Sequence, residues 1–437
     1  CALPICLFQW LVVGGKGTQK IRDYKSFEGF FVFCSFVSRN CATFAHIKIE
    51  IMSLSMKSLK IKNFGPIGNV DVKFGDLTFL VGPQASGKSL FLELLKYVID
   101  KDYVLANLRK FNYIIDKNNP KKVLDTFFGD GMYKIFKPST EIVYNGHEIT
   151  LDSLLKRNVP KKETMFYIPA QRILSIADGR PKYFMEFDMA TPYVLRSFSE
   201  TLRIYIQGAM GDPEMLFPIS TRLKSALKQS FDENIFHGGK IVMEENSGQK
   251  KMKMKIDDMS IPFMTWSAGQ KEFMPLLIAF YCLSGPASQV FKKDNYKYVV
   301  IEEPEMGLHP QAIKAVLLEI LELIHNGLKV IVSTHSTTLL DFAWAFNIVK
   351  KSEAANKEDA LYEMFDLHKN AATSQIFEGL LSKELSTYYF SRTATGEVTS
   401  TDISSLDAGS EDSAISEWGG LSQFSSKVAD IVYKYTD

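Results

Sequence analysis

The chain has 437 residues, 46% of them hydrophobic and 23% charged, a globular balance long enough for one large or two medium domains. With 51 basic and 50 acidic residues the net charge is +1, which excludes a uniformly basic nucleic-acid coat or membrane-surface protein, so that any basic patch must be local. The five cysteines, Cys1, Cys6, Cys34, Cys41 and Cys282, have no zinc-site spacing and four crowd the first 41 residues, so no disulfide framework is expected and a reducing cytoplasm fits best.

The chain opens on Cys1, and its first methionines are Met52 and Met56. The opening apolar stretch lacks the preceding Lys or Arg of a signal peptide. Residues 1–51 read as translated upstream sequence with a native start at Met52 or Met56; the alternative is a truncated extra domain. From Ser58, SLKIKNFGPIGNVDVKF alternates as strand, turn and strand, and DLTFLVG is an apolar strand. SLFLELLKYVI follows with helical spacing. TEIVYNGHEITL, 140–151, alternates around Asn145-Gly146, a hairpin pair because both turn positions need positive φ. ETMFYIPA, 163–170, is a further strand, and Pro192 to Gln229 is mainly helical.

HGGKIVMEENSGQKKMKMKID, 237–257, predicts a second hairpin turning at Asn246-Ser247-Gly248, and Glu272 to Leu283 a helix. No apolar run reaches the ~18 residues that span a bilayer; Met274 to Gly285 reads as a buried helix. YKYVVIEE is a buried strand, HPQAIKAVLLEILELI a helix with Pro310 in its first turn, and LKVIVSTHS the next strand. Beyond about residue 395 the Ser/Thr/Asp/Gly-rich text predicts a loop or acidic tail closed by a short helix near Gln423 to Lys434. Strands alternating with helices indicate a mostly parallel α/β sheet.

Gly82-Pro83-Gln84-Ala85-Ser86-Gly87-Lys88-Ser89 matches G-x-x-x-x-G-K-[ST] between a strand and a helix. Glycines there let backbone N–H groups curl inward around phosphate oxygens, and the helix adds its positive N-terminus. Lys88 is expected on the β- and γ-phosphates and the Ser89 hydroxyl on Mg²⁺, making ATP and Mg²⁺ the expected cofactors. A second strand ends in Glu302-Glu303-Pro304-Glu305. Phosphoryl transfer needs one acid on the metal and a second to orient and deprotonate the attacking water. Glu302 and Glu303 fit those roles in that order. Glu305 has two readings, helix N-cap support or an intersubunit contact.

Ser267-Ala268-Gly269-Gln270 opens a helix and resembles the ABC signature, whose usual core is Ser-Gly-Gly-Gln. Ala268 replaces one glycine. The resemblance implies that these four residues cap the γ-phosphate held by another subunit, and so imply a homodimer formed on ATP. Gln171, in FYIPAQR, has the position of the Q-loop glutamine, which touches the metal and the attacking water. His335, in IVSTHS, has that of the switch histidine on the γ-phosphate, and Gly307-Leu308-His309 that of the D-loop. Alone, a strand-end histidine or an SAGQ tetrapeptide is usually structural; the order of all five motifs favours function.

The resemblance covers residues 56–345, and LKIKNFGPI, Glu-Glu-Pro-Glu, Leu-His-Pro and Ser-Thr-His are similar to the soluble branch of ABC-type AAA ATPases. That branch includes the OLD (overcoming-lysogenization-defect), RecF-type and SMC-type proteins. Transporter subunits usually read Asp-Glu-Pro. Between the Q-loop and the signature, residues 172–265 leave no room for the long coiled coil of SMC proteins. Asp402 and Asp407 do not make the acidic pair of the Toprim nuclease that OLD proteins carry, so a stand-alone ATPase is expected. The fold implied is an ABC-ATPase head-like P-loop sheet with an antiparallel β subdomain and a helical lid insertion. Its expected parts are 52–172 with phosphate loop and Q-loop, a 173–265 insertion, 266–350 with signature, acidic motif and switch histidine, and a 351–437 accessory region. The implied role is a dimerising switch in phage defence or DNA maintenance, working with an effector protein; the alternative is a RecF-like DNA-binding repair ATPase. Lys250, Lys251, Lys253 and Lys255, with Arg157, Lys161 and Lys162, are candidate DNA phosphate contacts or a solvated strand edge.

Overall fold

The computed structural model describes residues 56–436 apart from 157, 160, 212, 220, 247 and 287. The expectation for residues 1–51 lies outside them, as do Arg157 and Ser247. The first strands follow the alternation read above: β1 (Ser58–Phe64) pairs antiparallel with β2 (Ile67–Lys73), and β3 (Leu77–Val81) is buried at every residue. The Asn145-Gly146 turn, with φ of 51° and 81°, joins β4 (Phe136–Tyr144) to the short β5 (His147–Glu148). β6 (Met165–Ile168) leads to Gln171.

The insertion holds two two-residue strands, β7 (Ile176–Ala177) and β8 (Arg180–Pro181), and a helix at Tyr193–Ile204. It also holds a four-stranded antiparallel sheet ordered β12-β11-β10-β9. Its members are β9 (Met215–Phe217), β10 (Lys240–Asn246), β11 (Gln249–Ile256) and β12 (Met259–Pro262). β9 interrupts a stretch whose sequence reads as helical. Trp266 packs against Phe263 beside this sheet and donates its indole N–H to Ile261 O.

The main sheet has ten strands ordered β5-β4-β1-β2-β16-β15-β3-β14-β13-β6. The run β15-β3-β14-β13-β6 is parallel throughout, with β13 at Tyr298–Glu302 and β14 at Lys329–Ser333. Strands buried on both faces read as unbroken apolar runs, which is why YVVI and KVIV show no alternation. The signature helix (Ala268–Ser284) and the helix Pro310–His325 are buried along most of their length and contribute to one continuous apolar core. Among the described residues no helix is long and apolar enough to cross a membrane.

The region past residue 395 departs from the expected loop. β15 (Leu385–Arg392) and β16 (Val398–Asp402) form a hairpin that enters the middle of the main sheet between β2 and β3. Its hydroxyl side chains are tied to neighbouring strands, which makes a polar sequence compatible with a sheet interior. Ser391 and Thr399 share a hydrogen bond at 3.2 Å, and Ser400 Oγ accepts from Asp71 N at 2.9 Å. A helix at Gln423–Thr436 follows.

The phosphate-loop helix, Lys88–Lys110, bends at Asp100. There a buried carboxylate accepts from Lys96 Nζ at 2.7 Å, from Thr164 N at 3.0 Å and from Met165 N at 3.0 Å. Burial alone lowers the Lys96 pKa, but Asp100 and Glu163 outweigh it and keep the ammonium charged. The network fixes the start of β6, and through β6 the position of Gln171.

Candidate functional site

Because β3, β14, β13 and β6 are adjacent and parallel, their C-terminal ends open on one edge of the sheet. In parallel α/β sheets that edge is where ligands bind. The phosphate loop follows β3, His335 lies two residues past β14, Glu302 ends β13, and Gln171 lies three residues past β6. The structure therefore gathers the five expected motif groups except the signature on this edge.

The loop's shape requires its glycines. Gly82 and Gly87 have φ of 146° and 77°, and a Cβ on Gly82 would lie 2.3 Å from Phe390 O. Pro83, Gln84 and Ala85 are exposed at the bend, Ser86 is buried, and Ser89 sits in the first turn of the helix. Lys88 is buried and folds across the loop, donating to Gly82 O at 2.8 Å, Pro83 O at 3.1 Å and Ser86 Oγ at 3.2 Å. Burial lowers its pKa to about 8, against the pull of Glu303, Glu305 and Glu302.

Glu302 is 4% exposed. One oxygen accepts from Ala170 N at 3.1 Å, while Oε1 is buried without a hydrogen-bond partner. Burial raises its pKa, and the Ser89 hydroxyl and the Ala170 amide act against the rise. Among the described residues no three His, Cys, Asp or Glu side chains could hold a metal unaided. An orphaned carboxylate oxygen beside a serine hydroxyl nevertheless fits a cation such as Mg²⁺, which takes one or two protein ligands and completes its shell with phosphate and water. Gln171 is exposed and directly follows Ala170, whose amide donates to Glu302.

Glu303 has φ of 43°, a left-handed conformation that costs a side-chain-bearing residue roughly 1–2 kcal/mol. Its amide donates to Ser333 O at 2.8 Å, which turns its side chain away from the strand direction toward His335. His335 Nε2 lies 3.6 Å from Glu303 Oε1. That contact is the main influence holding the Glu303 carboxyl below the usual range and so ionised.

Within the single copy Glu305 does not act as a helix N-cap. Its Oε1 accepts from Thr334 Oγ1 at 2.8 Å and from His335 N at 2.6 Å. It thus clamps the backbone of the switch histidine onto the acidic motif. His309, in the D-loop, is instead the residue that caps the helix Pro310–His325.

Ser267 is exposed at the head of the signature helix and forms a capping box with Gln270. Ser267 Oγ accepts from Gln270 N and Gln270 Oε1 from Ser267 N, both at 3.2 Å, while Gln270 Nε2 donates to Ile235 O at 3.0 Å. Ala268 is exposed. Gly269 has a steric reason to be glycine, since a Cβ there would lie 2.4 Å from Gly307 O. The signature and the D-loop thus touch backbone to backbone within one copy.

Two arginines at this edge carry no motif. Arg172 is wholly buried between the signature helix and the acidic motif. Arg392, at the end of β15, donates to Ala85 O in the phosphate loop at 2.5 Å. The IPAQR and FSR contexts offered no signal, because both partners are distant in sequence. Three lysines of the β11 stripe share two carboxylates. Lys251 pairs with Asp178, and Lys253 and Lys255 pair with Glu244 at 3.2 Å and 2.6 Å. This pairing favours the strand-edge reading over DNA contact.

Residues 171–341 match the family described as AAA domain, putative AbiEii toxin, Type IV TA system, and residues 55–174 match the AAA ATPase domain. An ATP/GTP phosphatase of Helicobacter pylori is 21% identical over 337 residues, covering 65% of this chain and 86% of the relative. The Old nuclease of Escherichia phage P2 is 32% identical over 87 residues, 20% of this chain and only 15% of the nuclease. Among solved structures, the SMC head domain from Thermotoga maritima aligns with 79% of this chain and 98% of its own, at 12% identity and a TM-score of 0.33. The two adjoining AAA matches together run from residue 55 to 341, so the stretch that holds the phosphate loop, the acidic strand end and His335 is similar throughout to AAA ATPase domains.

Proposed function

We propose that the chain hydrolyses ATP as a dimerising switch, each triphosphate lying between the phosphate loop of one copy and the Ser267-headed helix of another. The observation that carries this is the convergence of Lys88, Glu302, Glu303 and His335 on one sheet edge while Ser267 stays exposed. The loop amides and Lys88 hold the phosphates. The Glu303 carboxylate takes a proton from a water that attacks the γ-phosphorus. A new P–O bond forms as the bond to the β–γ bridging oxygen breaks, releasing ADP and phosphate. His335 orients Glu303 and touches the γ-phosphate, Gln171 positions the water, and Glu305 holds His335. Ser89, Glu302 and Gln171 would hold Mg²⁺, which would supply charge neutralisation of the phosphates.

Similarity to an AbiEii-type domain and to a phage nuclease supports a role in phage defence, or in DNA maintenance, in which an effector protein reads the ATP-bound dimer. The cytoplasmic reading rests on the cysteine usage, which has neither a disulfide framework nor zinc-site spacing.

The direct test is steady-state ATP turnover. Wild-type protein hydrolyses ATP in a Mg²⁺-dependent manner, and Lys88→Ala lowers nucleotide affinity by about 100-fold or more, since it removes a charge-assisted phosphate contact from a partly dry site. Unchanged turnover in Lys88→Ala contradicts the reading.

A pH effect follows from Lys88. In the free protein its pKa is lowered to about 8, so near that pH about half of the copies carry a neutral amine. Triphosphate favours the ammonium, so binding takes up protons, and the uptake grows as pH rises from 7 through 8 to 9. Calorimetry in buffers of different ionisation enthalpy measures this as about half a proton per site at pH 8. Lys88→Met removes it; proton release on binding contradicts the assignment.

A further inference from the structure

Arg172 shares with Arg196 the distinction of being the largest fully buried side chain among the described residues. It makes four hydrogen bonds, all to main-chain carbonyls. Nε donates to Glu272 O at 3.1 Å, in the second turn of the signature helix. Nη1 donates to Glu302 O at 3.0 Å and to Glu303 O at 3.2 Å, and Nη2 also reaches Glu303 O at 3.2 Å. Burying a guanidinium is costly, and burial lowers its pKa while Glu272 and the three acids of the strand end oppose the shift. An apolar side chain would fill the same volume without that cost. What it could not do is grip three carbonyls on two elements at once, a task suited to the planar fork of arginine.

The gripped residue is the one with the unusual backbone. Glu303 holds φ of 43°, with its amide bound to Ser333 O on β14 and its carbonyl bound twice by Arg172. A left-handed conformation at a residue with a side chain persists only where surroundings over-determine it. We propose that Arg172 is a positioning residue that locks the Glu303 backbone and links it to the signature helix, so that a triphosphate engaging Ser267 sets the aim of Glu303. The inference deepens the ATPase reading and rests on it. The signature helix, the D-loop through the Gly269–Gly307 contact, and the catalytic carboxylate then move as one body.

The test is a double-mutant cycle on the full chain, with Arg172→Gln, Glu303→Gln and both together, read by ATP turnover and nucleotide affinity. Arg172→Gln lowers kcat by about 30- to 100-fold, the usual cost of misaiming a catalytic group, while KM and nucleotide affinity change less than about threefold. In the Glu303→Gln background the same change costs less than about twofold, because Arg172 acts through Glu303. Arg172→Lys keeps part of kcat, since one ammonium reaches some of the carbonyls. If Arg172→Gln does not fold, Arg172→Lys carries the same cycle with smaller effects. Equal fold losses in both backgrounds, a rise in KM that accounts for the loss, or undiminished kcat in Arg172→Gln overturns the inference. Wild-type turnover that Glu303→Gln abolishes and Arg172→Gln leaves intact overturns this inference alone. A wild-type protein without turnover overturns both it and the ATPase reading.

Discussion

Glu303→Gln lowers ATP turnover by about 10²- to 10⁴-fold, the range typical of losing a general base, while ATP affinity stays near wild type. The amide keeps the shape of the carboxylate and loses only its capacity to take a proton. Glu303 is held ionised chiefly by His335, 3.6 Å away, and is partly exposed at the sheet edge, so it reaches a water without breaking a structural contact. Slow turnover leaves the triphosphate in place, and the variant accumulates as an ATP-bound dimer visible by size exclusion with light scattering. A Glu303→Gln protein that stays monomeric in saturating ATP, or turns over at the wild-type rate, removes Glu303 from the role given to it here.

Ser267→Arg abolishes turnover, by about 100-fold or more, and leaves nucleotide binding to its own phosphate loop intact. Ser267 is exposed, and its hydrogen bonds serve only its own helix cap, so a long side chain is accommodated in the single copy. Loss of the cap costs about 1 kcal/mol of stability, too little to unfold a domain of this size. The bulk instead obstructs the approach of another copy's triphosphate to the helix N-terminus. Affinity measured with fluorescent ATP separates this behaviour from that of Lys88→Ala, which loses binding itself.

The parts of the fold that were legible in sequence are those whose physics is local. Glycine at the positive-φ positions of the phosphate loop, Asn145-Gly146 in the hairpin turn, and Pro310 in the first turn of its helix each declare a backbone conformation within a few residues. The buried strands β3, β13 and β14 show as apolar runs for the same reason. The missed hairpin of β15 and β16 depends on partners more than 300 positions away, as the Asp71–Ser400 bond illustrates. A strand whose hydroxyls are satisfied by another strand has the composition of a loop. The site divides the same way. Motif spacing singled out Lys88, Glu302, Glu303 and His335, but not the contacts by which Arg172 and Glu305 hold them in place. Arg172 lies 130 positions from Glu302 and Glu305 lies 30 from His335, and only the folded chain brings each pair together. The β11 lysines read two ways in sequence because their acidic partners, from β10 and from the turn at Asp178, are set only by the fold.

The central claim, one nucleotide shared by two copies, is tested most directly by mixing two inactive variants. In a heterodimer of Ser267→Arg with Lys88→Ala, the first copy supplies a working phosphate loop and the second a working signature, so one of the two composite sites is whole. Random pairing makes about half the dimers heterodimers, and the mixture regains about one quarter of wild-type turnover. A mixture that remains as inactive as either variant alone, under conditions where the wild type dimerises, contradicts the shared site.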